Sequence, residues 1–160
     1  MTRLSAGILL FDRSSGLVLF LLVHPGGPFW AKKDAGAWTI PKGEYEPPEA
    51  PETAARRELA EETGLVLDGI LIPLGEVTQG SGKRVTAFAA EAAFDVTRLV
   101  SNSFEMEWPP RSGRMQSFPE IDRAEWFDAD TARTKLIPAQ AQFVERLLAT
   151  FDIAPLSPPA

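Results

Sequence analysis

The chain has 160 residues, 44% hydrophobic and 24% charged, the composition of a globular protein long enough to bury a core. Its formal net charge of -6 argues against a general affinity for a nucleic-acid duplex or an anionic membrane, while leaving room for a local basic site. With no cysteine and a single histidine, His24, disulfide frameworks, thiolate metal sites and multi-histidine zinc sites are excluded.

In chain order, SAGILLFDRSSGLVLFLLVHP reads as two strands separated by a turn at Asp12 to Gly16, near-continuously apolar as in strands covered on both faces. The run from Leu17 to Val23 is too short to span a bilayer, and the N-terminus lacks the pattern of a secretory signal. The expectation is a soluble cytoplasmic protein with no membrane partner. A Gly/Pro/aromatic loop, PGGPFWAKKDAGA, leads to a short apolar piece, Trp38 to Ile40, stopped by Pro41. Residues 42–51 carry Gly43, Pro47, Pro48 and Pro51 and read as loop. A helix is predicted from Pro51 to Thr63, with proline in its first turn and Gly64 as the residue just past its end. LVLDGILIPLGEVTQ reads as one or two strands, Gly80-Ser81-Gly82 as a turn, and Arg84 to Phe94 as the returning strand. Asn102 to Ile121 lacks a clear period and is expected to be a long, functional loop. A strand at EWFD, a short helix and an amphipathic C-terminal helix follow, the last with Phe143, Leu147 and Leu148 on one side. These elements predict an α/β fold, a mixed sheet with helices on both faces, in one domain over residues 1–153 with a tail at 154–160.

Within RRELAEETG, Glu58, Glu61 and Glu62 fall on one face of the predicted helix, because their spacing follows the helical turn. Like charges so placed destabilise an isolated helix by a few tenths of a kcal/mol per pair. Three carboxylates with a fourth arriving from the preceding loop form an all-oxygen site, the ligand chemistry that Mg²⁺ prefers, with waters and substrate phosphates completing its shell. Bound metal charge offsets their repulsion.

The frame around them is Gly43, five residues, Glu49, seven residues, Arg57-Glu58-Leu59, one residue, Glu61-Glu62, one residue, Gly64-Leu65. This resembles the Nudix box in every specified position, a match with chance odds on the order of one in ten million. The resemblance implies the Nudix fold, an α/β/α sandwich, and a Mg²⁺-dependent hydrolase of the phosphoanhydride class, with Mn²⁺ as a substitute. It implies metal binding by Glu58 and Glu62, metal binding or general-base work by Glu61, orientation of a carboxylate by Arg57 and a supporting role for Glu49. Gly43 and Gly64 are expected as backbone devices, a loop bend and a helix end. The family often uses a further glutamate from a later loop; Glu120, six residues before Trp126, holds that place, with Glu105, Glu107 and Asp122 as competitors.

The substrate implied is a small nucleotide. WTIPKGEYEPPE resembles the diadenosine polyphosphate hydrolase branch, and GKRVTAF its lysine-bearing strand, which points to Lys42 and Lys83 as phosphate contacts. Arg111, Arg114, Phe104, Trp108 and Phe118 of the long loop are candidate contacts to phosphate and base, with Tyr45 and Trp30 comparable, since guanidinium clamps phosphate and an aromatic face stacks on a base. Alternatives are a housecleaning hydrolase of oxidised or non-standard nucleoside triphosphates, a hydrolase of another nucleotide conjugate, and a Nudix-fold binding module without catalysis. His24 is expected to pack or cap a loop. Nothing in the residues speaks to oligomeric state.

Overall fold

The computed structural model describes residues 3–153, so the expected tail at 154–160 lies outside the described residues. The first two apolar runs form β1 (Leu4–Asp12) and β2 (Leu19–Pro25) around the predicted turn. Both are buried because successive side chains supply opposite faces of the sheet. Ala6, Ile8 and Leu10 enter one core with Leu21 and Val23, while Leu9 and Phe11 enter another with Phe20 and Leu22. The first core is closed by Ala54, Ala55 and Leu59 of α1 (Pro51–Thr63). The second is closed by Ala132 of α2 (Ala129–Lys135) and by Phe143, Val144 and Leu147 of α3 (Ala141–Ile153). The layering is the expected sandwich of a mixed sheet between helices. Among the described residues, no helix is long and apolar enough to cross a membrane.

Beside β1 and β2 the sheet contains β3 (Lys42–Glu44), β4 (Ile72–Thr78), β5 (Arg84–Glu91) and β8 (Ile121–Asp128). The order is β4-β5-β1-β2-β8, parallel only between β1 and β5. β1 and β2 pair at Phe11 with Phe20 and Asp12 with Leu19, then part. The chain from Thr39 to Glu44 fills the gap. Val23 and Thr39 exchange backbone hydrogen bonds of 2.9 and 3.0 Å, the Ile8 N–H donates to the Pro41 carbonyl at 3.1 Å, and β3 pairs with Ser5 to Gly7. A Cβ on Gly7 would come within 2.6 Å of the Lys42 Cβ, so only glycine admits this close approach. The buried Gln140 side chain ties the segment down, accepting from the Ile40 N–H at 2.9 Å and donating to Gln79 Oε1 at 2.8 Å. Residues 42–44, expected as loop, are therefore a strand, recruited by a partner more than 30 positions away.

Two other expectations need correction. Residues 65–71 form no strand. Arg56 gathers that segment instead, donating to the carbonyls of Leu67 at 2.5 Å and Gly69 at 2.7 Å. Residues 102–121 are not an irregular loop but a hairpin of β6 (Ser103–Glu107) and β7 (Met115–Pro119), a separate two-stranded sheet. Its turn is organised by the Glu107 carboxylate, which accepts from the N–H groups of Arg111 at 2.9 Å and Gly113 at 3.1 Å. The returning strand, expected to reach Phe94, stops at Glu91.

His24 packs as expected. It is fully buried against the edge of Trp38, with Nδ1 2.8 Å from Asp122 Oδ1 and Nε2 2.6 Å from the Lys33 carbonyl. This clamp fixes the loop after β2 against the start of β8.

Candidate active site

α1 begins at Pro51, whose missing N–H is harmless at a helix start, and ends at Gly64 in the left-handed conformation, φ 78°. Its apolar side is pinned to β1, and this pinning grades the three glutamates by depth. Glu62 is 8% exposed, the Glu58 side chain 15% and the Glu61 side chain 45%.

Arg57 organises the cluster. Its guanidinium grips Glu49 with two bonds of 3.0 Å, donates to Glu58 Oε1 at 2.9 Å and lies 3.6 Å from Glu61 Oε1. The clamp holds Glu49 below the usual carboxylate range and keeps Arg57 more firmly protonated than a free guanidinium. Gly43 has a different role from the one expected. It lies within β3 without a positive φ, and a Cβ at this position would fall inside the Glu58 carboxyl group. Its missing side chain is the space that the Glu58 carboxylate occupies.

Glu62 is the least satisfied group. Its Oε2 is buried without a hydrogen-bond partner, and its pKa is pushed up to about 8 by burial first and then by the charge of Glu58, with Lys42 opposing and Glu120 and Glu61 adding. Burial also raises Glu58, reinforced by Glu61. Lys42 sits in the same field: burial, then repulsion from Lys83, brings its ammonium down to about 8. Lys83, in the turn between β4 and β5, also draws Glu44 down after the Arg3 bond has done so, which places Lys42, Glu44 and Lys83 at one end of the sheet.

Glu120 follows β7. Its N–H donates to the Asn102 carbonyl at 2.7 Å and its carbonyl accepts from the Gly26 N–H at 2.8 Å, and its charge acts on both Glu58 and Glu62. The competitors are engaged elsewhere or lie outside this field: Glu107 caps the hairpin turn, Asp122 holds His24, and Glu105 is exposed on β6. Trp108, Arg111 and Arg114 are not brought to the cluster. They lie at the turn of the hairpin, the end away from Glu120, where the Trp108 N–H donates to the Arg114 carbonyl at 2.9 Å. A strand of five residues separates the two ends by about 15 Å.

Protonation of Glu62 has a measurable sign. In the metal-free protein the native state keeps a proton that the unfolded chain releases near 4.5 and the native chain only near 8. Stability is therefore expected to fall as pH rises through that window. Lys42 acts oppositely and later, since the native state gives up its proton near 8 and the unfolded chain near 10.5. Denaturant titrations in EDTA at pH 5.5 and 8 check this; equal midpoints would refute the assigned burial of Glu62.

The residues fit a hard divalent cation. The donors are all carboxylate oxygens, one of them an orphaned buried atom, and the surrounding field favours added positive charge. Among the described residues, no three carboxylate or imidazole groups yet converge so as to hold an ion by themselves.

The fold lays an acidic helix over one face of a mixed sheet, with its carboxylates gathered about Arg57. A family model described as the NUDIX domain matches residues 1–147, and the chain belongs to that family. Among solved structures it is similar to the Caenorhabditis elegans Ap4A hydrolase in a binary complex, with TM-score 0.66 and 19% identity over 92% of this chain and 98% of that one. It is also similar to the NUDIX domain of Shewanella oneidensis NrtR complexed with ADP ribose, with TM-score 0.63 and 18% identity over 94% and 89% of the two chains. A Nudix hydrolase from Mycobacterium smegmatis, RenU, gives TM-score 0.59 and 26% identity over 97% and 89%. Comparison with curated protein sequences gives no match.

Proposed function

We propose that the protein is a Mg²⁺-dependent pyrophosphohydrolase that cleaves a phosphoanhydride bond in a nucleoside diphosphate linked to another group, with diadenosine polyphosphates as its leading substrate class. The observation that carries this is the buried Glu62 carboxylate with an unpartnered oxygen, set in the field of Glu58, Glu61 and Glu120 on one side and Lys42 on the other. Glu58 and Glu62 would hold the metal, with Glu61 at the exposed side. A divalent cation bound there neutralises phosphate charge, polarises phosphorus and acidifies a water. Arg57 fixes the direction of Glu58 and braces Glu49, so that the carboxylates stand in place before substrate arrives. Lys42 and Lys83 meet the negative phosphate oxygens. Glu61 or Glu120 takes the proton as the water oxygen attacks phosphorus, the anhydride P–O bond breaks, and a nucleotide leaves. The absence of cysteine fits a reducing, cytoplasmic setting.

The likeness to an Ap4A hydrolase supports the dinucleotide, and the likeness to a Nudix domain bound to ADP ribose supports the nearest alternative, a nucleoside diphosphate conjugate. Turnover of both with Mg²⁺ in ¹⁸O water separates them. Label in AMP or ATP released from diadenosine tetraphosphate supports the lead, and no turnover of any dinucleotide overturns it.

Arg57→Lys is expected to lower kcat about ten- to a hundredfold, the usual effect of losing a group that orients a metal ligand. Lysine keeps the charge but cannot grip Glu49 with two bonds while reaching Glu58. Steady-state kinetics beside a melting curve test this. Full activity in the lysine variant would show that orientation by the guanidinium fork is dispensable.

A further inference from the structure

The amide of Gln140 is fully buried, so no substrate meets it. It closes a single 3₁₀ turn, Pro138–Gln140, next to Ala139 of the core that α2 and α3 close, on the face of the sheet opposite α1. A buried amide needs partners for its polar atoms, and Gln140 finds them on two separate segments. Its Oε1 accepts from the Ile40 N–H at 2.9 Å and from Thr39 Oγ1 at 3.1 Å. Its Nε2 donates to Thr39 Oγ1 at 2.9 Å and to Gln79 Oε1 at 2.8 Å. Thr39 and Ile40 open the stretch that runs through Pro41 to Lys42. Gln79 opens the turn between β4 and β5, where its N–H donates to the Lys83 carbonyl at 2.9 Å. The tip of that turn stands clear of the body: Gly80, Ser81 and Gly82 are exposed, and a Cβ on either glycine would meet nothing within 4 Å.

We propose that Gln140 is a positioning residue: by bonding Ile40 and Gln79 at once, it fixes the distance between Lys42 and Lys83 and so the spacing of the phosphates they receive. This rests on the reading of Lys42 and Lys83 as phosphate contacts. Lysine carries its charge on a flexible four-carbon stem, so its reach is set by where its backbone is anchored. On one side the anchor is two residues away, across Pro41, whose ring fixes φ and whose carbonyl is held by the Ile8 N–H at 3.1 Å. On the other side it passes from the Gln79 side chain through the Gln79 N–H to Lys83. The sheet alone does not set this spacing, because Lys83 lies in the turn before β5 begins at Arg84. The two ammonium groups also repel, and Lys83 acts on Lys42 through that repulsion. Like charges on a free turn would drift apart without a tether. An apolar side chain at position 140 would leave both segments unheld.

Adenosine 5′-(α,β-methylene)diphosphate, whose bridging carbon resists hydrolysis, reports phosphate binding without turnover. Calorimetric titration of the full chain in Mg²⁺ should show Lys83→Ala and Gln79→Leu each weakening it about tenfold. Added to Lys83→Ala, Gln79→Leu should weaken it no further, because Gln79 acts only through that lysine. Affinity for AMP, with a single phosphate, should hardly change in Gln79→Leu. Gln79 is partly exposed, and Gln140 keeps its bonds to Thr39 and Ile40 in this variant, so the fold is expected to survive, which melting curves check. Gln140→Met, which cuts both links, should weaken the analogue at least as much, at a lower Tm. In turnover, Gln79→Leu should raise KM about tenfold with kcat nearly unchanged. Unaltered affinity in Gln79→Leu, or a loss that adds in full to that of Lys83→Ala, overturns the positioning role and leaves Lys83 a phosphate contact. No effect of Lys83→Ala overturns the contact reading and the positioning role with it. If the binding results hold but no anhydride is cleaved, the positioning role stands and the hydrolase reading fails.

Discussion

Glu62→Gln is expected to stabilise the metal-free protein while lowering turnover at least about a hundredfold. The two effects have one cause. Glu62 is 8% exposed and its Oε2 has no partner, so its charge is disfavoured by burial and by Glu58. At neutral pH the unfolded chain ionises this residue freely whereas the native chain resists, and an amide of the same shape removes that difference. The gain is about 1–3 kcal/mol, reduced by the amide's own unmet hydrogen bonds, and corresponds to a rise in Tm of about 3–10 °C. The same amide loses the negative oxygen that a divalent cation needs, and loss of a primary ligand is expected to exceed the ten- to hundredfold effect seen for groups behind the ligands. Thermal melts in EDTA, paired with kinetics in Mg²⁺, test both halves. A variant with undiminished turnover would remove Glu62 from the metal site.

Gly43→Ala is the second large effect, and it comes from a residue with no chemistry of its own. The added methyl would fall inside the Glu58 carboxyl group. The carboxyl group is the tip of a rotatable side chain, so stability should change little, about 1 kcal/mol or less. Function should not be spared. The displaced carboxylate must leave its 2.9 Å bond to Arg57, and a shift of about 1 Å in a catalytic group costs about a hundredfold in rate. The expected pattern is a near-normal Tm with kcat reduced about a hundredfold. A variant with normal kcat would show that Glu58 has freedom that the close approach of β3 denies it.

The two substitutions mark the boundary of what local sequence carries. Helical rotation alone aligned Glu58, Glu61 and Glu62, and the spacing from Gly43 to Leu65 pointed to the Nudix family, because both are patterns over tens of residues at most. The helix ends at Pro51 and Gly64 were legible for the same reason: their backbones admit few alternatives. Gly43 was expected as a loop bend because glycine beside prolines reads as a turn, and only its pairing with β1 reveals a strand position kept clear for another side chain. The hairpin from Ser103 to Pro119 has a weak sequence signal, although Phe104 and Met106 alternate with polar neighbours. Three prolines, a glycine and a mostly exposed surface drown that two-residue period. Trp108, Arg111 and Arg114 are suited to phosphate and base by their chemistry, and the hairpin sets them at its turn, the end away from Glu120.

The sequence by itself determined the sandwich of alternating apolar strands and helices, the acidic helix face and the family to which they belong, since hydrophobic period and local spacing suffice for these. Only the tertiary structure decided how deep each glutamate lies, which carboxylate is left without a partner and which residues flank it. Burial, desolvation and the reach of the Glu120 charge to Glu62, 58 positions away, arise from packing between distant segments, and no local period encodes them.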